Sequence, residues 1–106
     1  MAWIYLIIAG MFEIGWPLGL KIIGRDSFYT ISGIILAGTS IALSGVFLYL
    51  AQRDIPIGTA YAVWTAIGSA GTFFVGVLFF GDQSSLLRYL GIVLIILGVI
   101  TLKVAS

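Results

Sequence analysis

Residues 27–52 read SFYTISGIILAGTSIALSGVFLYLAQ, 26 residues without a charge. A helix needs about 20 apolar residues to cross a hydrocarbon core of about 30 Å, so this run is long enough to span alone. Arg53 and Asp54 close it, and a second uncharged run of 27 residues, 55–81, follows directly. Upstream, residues 1–20 are interrupted only by Glu13. Downstream, residues 89–102 are 14 uncharged positions between Arg88 and Lys103. That last run spans if both long cations reach back to the interfaces, as Arg and Lys readily do. The pattern predicts four helices near 3–22, 29–51, 57–80 and 86–103. Short polar turns join them, and Pro56 suits the start of the third. The expected fold is an all-α integral membrane protein, one four-helix transmembrane domain over residues 1–106 with no soluble domain. No cleaved leader is expected, because the N-terminus lacks a basic stretch and Glu13 would sit inside the apolar segment.

Composition agrees with that reading. Hydrophobic residues make up 61% of the chain, charged residues 8%, and the mean hydropathy is +1.22. A soluble domain is typically about 25% charged, so a globule this small could not cover its surface. The net charge of +1 offers no basic face to nucleic acid. The chain contains neither Cys nor His. Disulfides, thiolate chemistry and a Ser-His triad are therefore excluded, and neither a metal site nor a cofactor is expected. No nucleophile, base and acid assemble into an enzyme site.

Lys and Arg barely distinguish the two membrane faces. Lys21, Arg25 and Arg88 fall on one side; Arg53 and Lys103 fall on the other with the α-amino group. A bias this small leaves two readings open, one fixed topology or insertion in both orientations.

Glu13 is the residue that points to chemistry. At 1.5 Å per residue it lies about 15 Å into the first helix, near the bilayer midplane. A carboxylate there costs at least about 2.5 kcal/mol, and no basic side chain lies at its depth to pair with it. A group that must be neutralised by a proton or by a cation can exchange one for the other. Ala9, Gly10, Trp16 and Pro17 share its helix face at positions −4, −3, +3 and +4. Pro17 has no N–H to give the Glu13 carbonyl, so a kink is expected there. Trp16 is read either as core filling or as a cation–π wall and indole donor for the glutamate.

The other helices carry candidate walls and seams. Helix 2 has a small and polar stripe at Gly33, Ala37, Ser40 and Ser44. Helix 3 has a small-residue ridge, Gly58, Ala62, Ala66 and Ala70, and an adjoining face with Tyr61, Trp64, Thr65 and Gly68. Gly68 and Gly71 are candidate bend points. These polar groups serve as helix glue or as walls of a cavity around Glu13. In helix 4, Gly91 and Gly98 share a face and read as an oligomerisation seam. Trp3, Tyr5, Phe28, Tyr29, Tyr49 and Tyr89 lie near helix ends and read as interface anchors. Four thin helices hardly enclose a path alone. A dimer would bring two Glu13 together as a coupled pair. Subunits inserted in opposite directions would interconvert inward- and outward-open states by exchanging shapes.

The helix 1 glutamate, the four spans and the run Pro56-Ile57-Gly58-Thr59-Ala60-Tyr61-Ala62-Val63-Trp64 strongly resemble the small multidrug resistance family, over essentially the whole chain. The segments Phe12-Glu13-Ile14-Gly15-Trp16 and Gly19-Leu20-Lys21 resemble its guanidinium-exporter subtype. The resemblance implies an antiparallel, dual-topology dimer in the inner membrane that exports cations in exchange for protons. It implies guanidinium ion as substrate, Glu13 as the shared proton and substrate site, and Trp16, Ser44, Tyr61 and Trp64 as residues that line or order it. The alternative is the same fold exporting quaternary ammonium or other lipophilic cations. Helix 3 reads Trp64-Thr65-Ala66-Ile67-Gly68 where the family usually has Trp-Thr-Gly-Ile-Gly, and Pro17 is unusual. Ser69-Ala70-Gly71-Thr72 resembles members that work as two-gene heterodimers, so a paralogous partner stands beside the expected homodimer.

Overall fold

The computed structural model describes residues 1–105. It contains α1 (Ala2–Ile22), α2 (Ser27–Gln52), α3 (Ile57–Phe79) and α4 (Leu86–Ala105). Each is long and apolar enough to cross a membrane. The helix ends follow local chemistry. α2 starts two residues earlier than expected because Asp26 caps it, its carboxylate accepting from the Tyr29 amide at 2.9 Å. Gly24, at φ +96°, makes the preceding turn, and its amide donates to Thr30 Oγ1. α3 ends where the Phe80 and Asp82 amides both donate to the Gly76 carbonyl, with Gly81 at φ +67° between them. α4 continues to Ala105, two residues past the expected limit.

α1 packs antiparallel to α2 and parallel to α3. The α1–α2 seam is made of small residues. A Cβ on Gly19 would lie 2.6 Å from the Gly33 carbonyl oxygen and 2.8 Å from the Ala37 amide, so the two backbones are in contact. A Cβ on Gly15 would collide with the Ser40 side chain. Gly33, Ala37, Ser40 and Ser44 are all buried. The α2 stripe thus faces α1, and its first three residues act as helix glue rather than cavity wall. Such seams replace the missing hydrophobic drive in lipid with van der Waals contact between backbones.

The α3 ridge holds in its second half, where Ala70 is buried and Ala66 half-buried, and not in its first. Gly58 has open space around it and Ala62 is exposed. α3 instead turns Ala60, Val63 and Gly68 inward. An apolar cluster of Leu6, Ala51, Ile55, Ala60 and Val63 closes the end of the chain where α2 turns into α3. α4 packs mainly on α3 and, of its own residues, buries only Ile92. One tie reaches across to α1: Lys103 Nζ lies 4.8 Å from the Trp3 ring centre. The Cα extents are 46 × 35 × 16 Å, a slab less than two helix diameters thick.

The α1–α2 seam makes Gly19 intolerant of a side chain. Gly19→Val should lower stability by about 1–3 kcal/mol, through forced separation of the helices. Unfolding by denaturant in detergent micelles measures this, and an unchanged midpoint would contradict the backbone contact.

Candidate functional site

Glu13 lies 11 residues into the 21-residue α1, and three helices shape its surroundings. Behind it stands Gly68 of α3. A Cβ on Gly68 would overlap Glu13 Cγ, so the glutamate side chain occupies the volume that any other residue would fill. α3 runs unbroken through Gly68, from Ile57 to Phe79. Gly71 likewise makes room for Ile14. Gly68 and Gly71 are thus sites of close approach to α1. α1 also stays helical through Pro17 to Ile22.

One turn along α1, the Trp16 indole Nε1–H donates to Glu13 Oε1. A carboxylate fixed by a donor on its own helix is held in one rotamer without a partner charge. Trp16 is therefore an indole donor to the glutamate in this structure.

Ser44 and Trp64 form a second, neighbouring unit. Ser44 is 1% exposed. Its hydroxyl donates to the Ala9 carbonyl at 2.8 Å and accepts from Trp64 Nε1 at 2.7 Å. This relay links α2, α1 and α3, and it sits one turn from Glu13 on the Ala9 side. Ser44 thus orders Trp64 and has no bond to Glu13. Tyr61 stacks obliquely on Trp64, with ring centres 5.4 Å apart, and is 57% exposed. Its hydroxyl has no hydrogen bond among the described residues. The structure brings Glu13, Trp16, Ser44 and Trp64 together and leaves Tyr61 at the rim.

Two cavities meet at Glu13 and Trp16. One, of about 350 Å³, also touches Ile41, Ser44, Gly45, Leu48 and Trp64. The other, of about 230 Å³, also touches Pro17, Thr65, Gly68, Ser69 and Thr72. The first is mostly apolar, and the second has three hydroxyls. Ser69 and Thr72 were not singled out as site residues by the sequence. The usable signal was their spacing with Thr65, at i, i+4 and i+7, which puts all three on one helix face. Gly91 and Gly98 lie remote from the site, on α4, with nothing within 4 Å of an added Cβ.

The family described as Small Multidrug Resistance protein matches residues 1–95. The chain belongs to the small multidrug resistance family. Among its relatives, a protein of Yersinia pseudotuberculosis named "Guanidinium exporter" is 43% identical, with both chains covered completely. A Proteus vulgaris protein of the same name is 39% identical, again over both full lengths. The Escherichia coli (strain K12) protein of that name is 37% identical over all of this chain and 99% of its own. The small multidrug resistance family and these relatives are transporters, not enzymes. With four helices able to span, the chain is a multi-pass membrane protein.

Ser44→Ala tests the relay. It leaves the Trp64 indole without an acceptor and removes the bond to Ala9, and should cost about 1–3 kcal/mol. Thermal unfolding in detergent should show this; a loss below about 0.5 kcal/mol, the range of inert surface changes, would mean the relay contributes nothing.

Proposed function

We propose that this chain exports guanidinium ion, and small substituted guanidiniums, across the inner membrane in exchange for protons. Glu13 is the site that binds either the cation or the proton. The observation that carries this reading is the mid-helix Glu13 carboxylate, fixed by Trp16 and open to two cavities, in a chain whose relatives are named guanidinium exporters.

Guanidinium is planar, and its paired N–H groups match the two oxygens of a carboxylate. Trp16 pins the carboxylate so that its remaining lone pairs face the cavities. Trp64, itself held by Ser44, offers an aromatic face beside them. Tyr61, at the rim, completes the wall when a second subunit covers it. The apolar surface of Ile41 and Leu48 in the larger cavity suits an alkyl or aryl tail on a substituted guanidinium.

The working unit is an antiparallel homodimer. A slab 16 Å thick leaves Glu13 open on one side, and the exposed Gly91 and Gly98 of α4 give a smooth seam for a second copy. The near-even charge on the two faces supports insertion in both directions. Two Glu13 then face one chamber and titrate as a pair. An interior-negative potential pulls a cation inward by about 2.3 kcal/mol per 100 mV. Exchanging two protons for each guanidinium overcomes this, because both the pH gradient and the potential then drive export. Each step is an exchange: a cation displaces protons, the subunits trade shapes, and protons on the other side displace the cation.

Currents on a solid-supported membrane test the reading. Proteoliposomes holding this chain alone should give a current on addition of guanidinium, a smaller one with tetrapropylammonium, and none with Glu13→Gln. A guanidinium current that survives Glu13→Gln would overturn the assignment. A tetrapropylammonium current exceeding the guanidinium one would favour the lipophilic-cation reading.

A further inference from the structure

The cavity on the α3 side of Glu13 does not stand alone. It shares Pro17 and Thr72 with a further cavity of about 220 Å³ that reaches Lys21, Gly76, Phe80 and Asp82 at the end of α3. Together they make a continuous groove between α1 and α3. Its length from Gly68, which backs Glu13, to Gly76, beneath Asp82, is about 12 Å at 1.5 Å per residue. Along it α3 presents Ser69 and Thr72 one turn apart, while Thr65 lines the inner cavity on the other side of Gly68. The Thr65 and Thr72 hydroxyls make no hydrogen bond among the described residues. Ser69 donates to the Ala66 carbonyl at 3.1 Å and keeps its oxygen lone pairs.

We propose that this groove is the passage by which a guanidinium-class cation moves between Glu13 and the membrane surface, with Ser69 and Thr72 as its successive acceptors and Asp82 as its outer attractor. The proposal rests on the function given above and deepens it by naming a route. The Ser69 and Thr72 hydroxyls are spaced about 4.5 Å apart along the helix axis. A planar cation donating from two edges can therefore reach the next oxygen before releasing the last. Neutral acceptors bind a cation weakly enough to let it leave, which passage requires.

The outer end is suited to the same traffic. Asp82 carries the full negative charge there, its carboxylate lying against Gly76. The carbonyl ends of α1 and α3 add partial negative charge at the same level. Lys21 faces the same cavity and keeps the mouth from holding a cation too long. The other opening at Glu13 has no such gradation: its walls are Ile41, Gly45 and Leu48, and its one hydroxyl, Ser44, is already engaged.

The absence of native cysteine allows a direct test. Thr65→Cys, Ser69→Cys and Thr72→Cys, made singly, are treated in proteoliposomes with a cationic, membrane-impermeant methanethiosulfonate. Leu94→Cys, on the exposed face of α4, is the control. A thiol reacts as its thiolate, which needs water, so the passage predicts modification at least roughly tenfold faster at 69 and 72 than at 94. Guanidinium should protect Thr65→Cys, which lines the Glu13 cavity away from the mouth. Rates at 69 and 72 no faster than at 94 would overturn the proposal. As a second measurement, a Ser69→Val, Thr72→Val double variant should lower the guanidinium current several-fold even at saturating guanidinium; an undiminished current would also overturn it. Failure of the function itself reads differently, as a wild-type chain with no Glu13-dependent current whatever the labelling pattern.

Discussion

A carboxylate halfway along a membrane helix must be housed, and the packing of this chain is arranged around housing it. The Glu13 side chain fits because Gly68 contributes no side chain, and it is held because Trp16 donates to it from the same helix. Neither contact supplies a charge. The group is fixed in position while its neutralisation is left to whatever enters the cavities. That separation of placement from charge compensation is what an exchange site requires. A buried Lys or Arg partner would have satisfied the carboxylate permanently.

The two sides of α1 divide the labour. Toward α2 the helix is sealed by backbone contact at Gly19, Gly33 and Ala37 and by the Ser40 side chain against Gly15. Toward α3 the contact is close at Gly10, Gly68 and Gly71 and through Leu6 against Ala60 and Val63. Beyond Gly68 the helices leave the hydroxyl-lined space that runs to Asp82. Ser44 joins the two regimes, being part of the α2 seam and also the acceptor that orders Trp64.

Much of this was legible in the sequence, and the failures share one cause. Spans could be read because a charge inside hydrocarbon is costly, so Arg53, Asp54 and Asp82 had to mark ends. Glu13 stood out for the same reason. The α2 stripe from Gly33 to Ser44 could be read because small residues four apart have few uses other than contact. The rotation of α3 was not legible. Its ridge at Gly58 and Ala62 is as small as its true contact face, and only tertiary packing chooses between them. Gly68 was read as a candidate bend point; its close contact with Glu13 was not legible, because the partner lies on another helix. Ser44 was expected to line or order the glutamate site and shares its cavity; that its hydroxyl would bond Ala9 and Trp64 was not legible, because packing decides which partner is nearest. α4 gave the weakest signal for a spanning helix and stands almost uncovered, consistent with its proposed place in a dimer.

The central claim is that guanidinium and protons share Glu13. It is tested most directly by counting protons released when guanidinium is added to the purified protein in weakly buffered detergent solution. The account predicts release from the wild type at a pH where Glu13 is protonated, and none from Glu13→Gln. Guanidinium binding to the wild type at that pH with no proton released would contradict it.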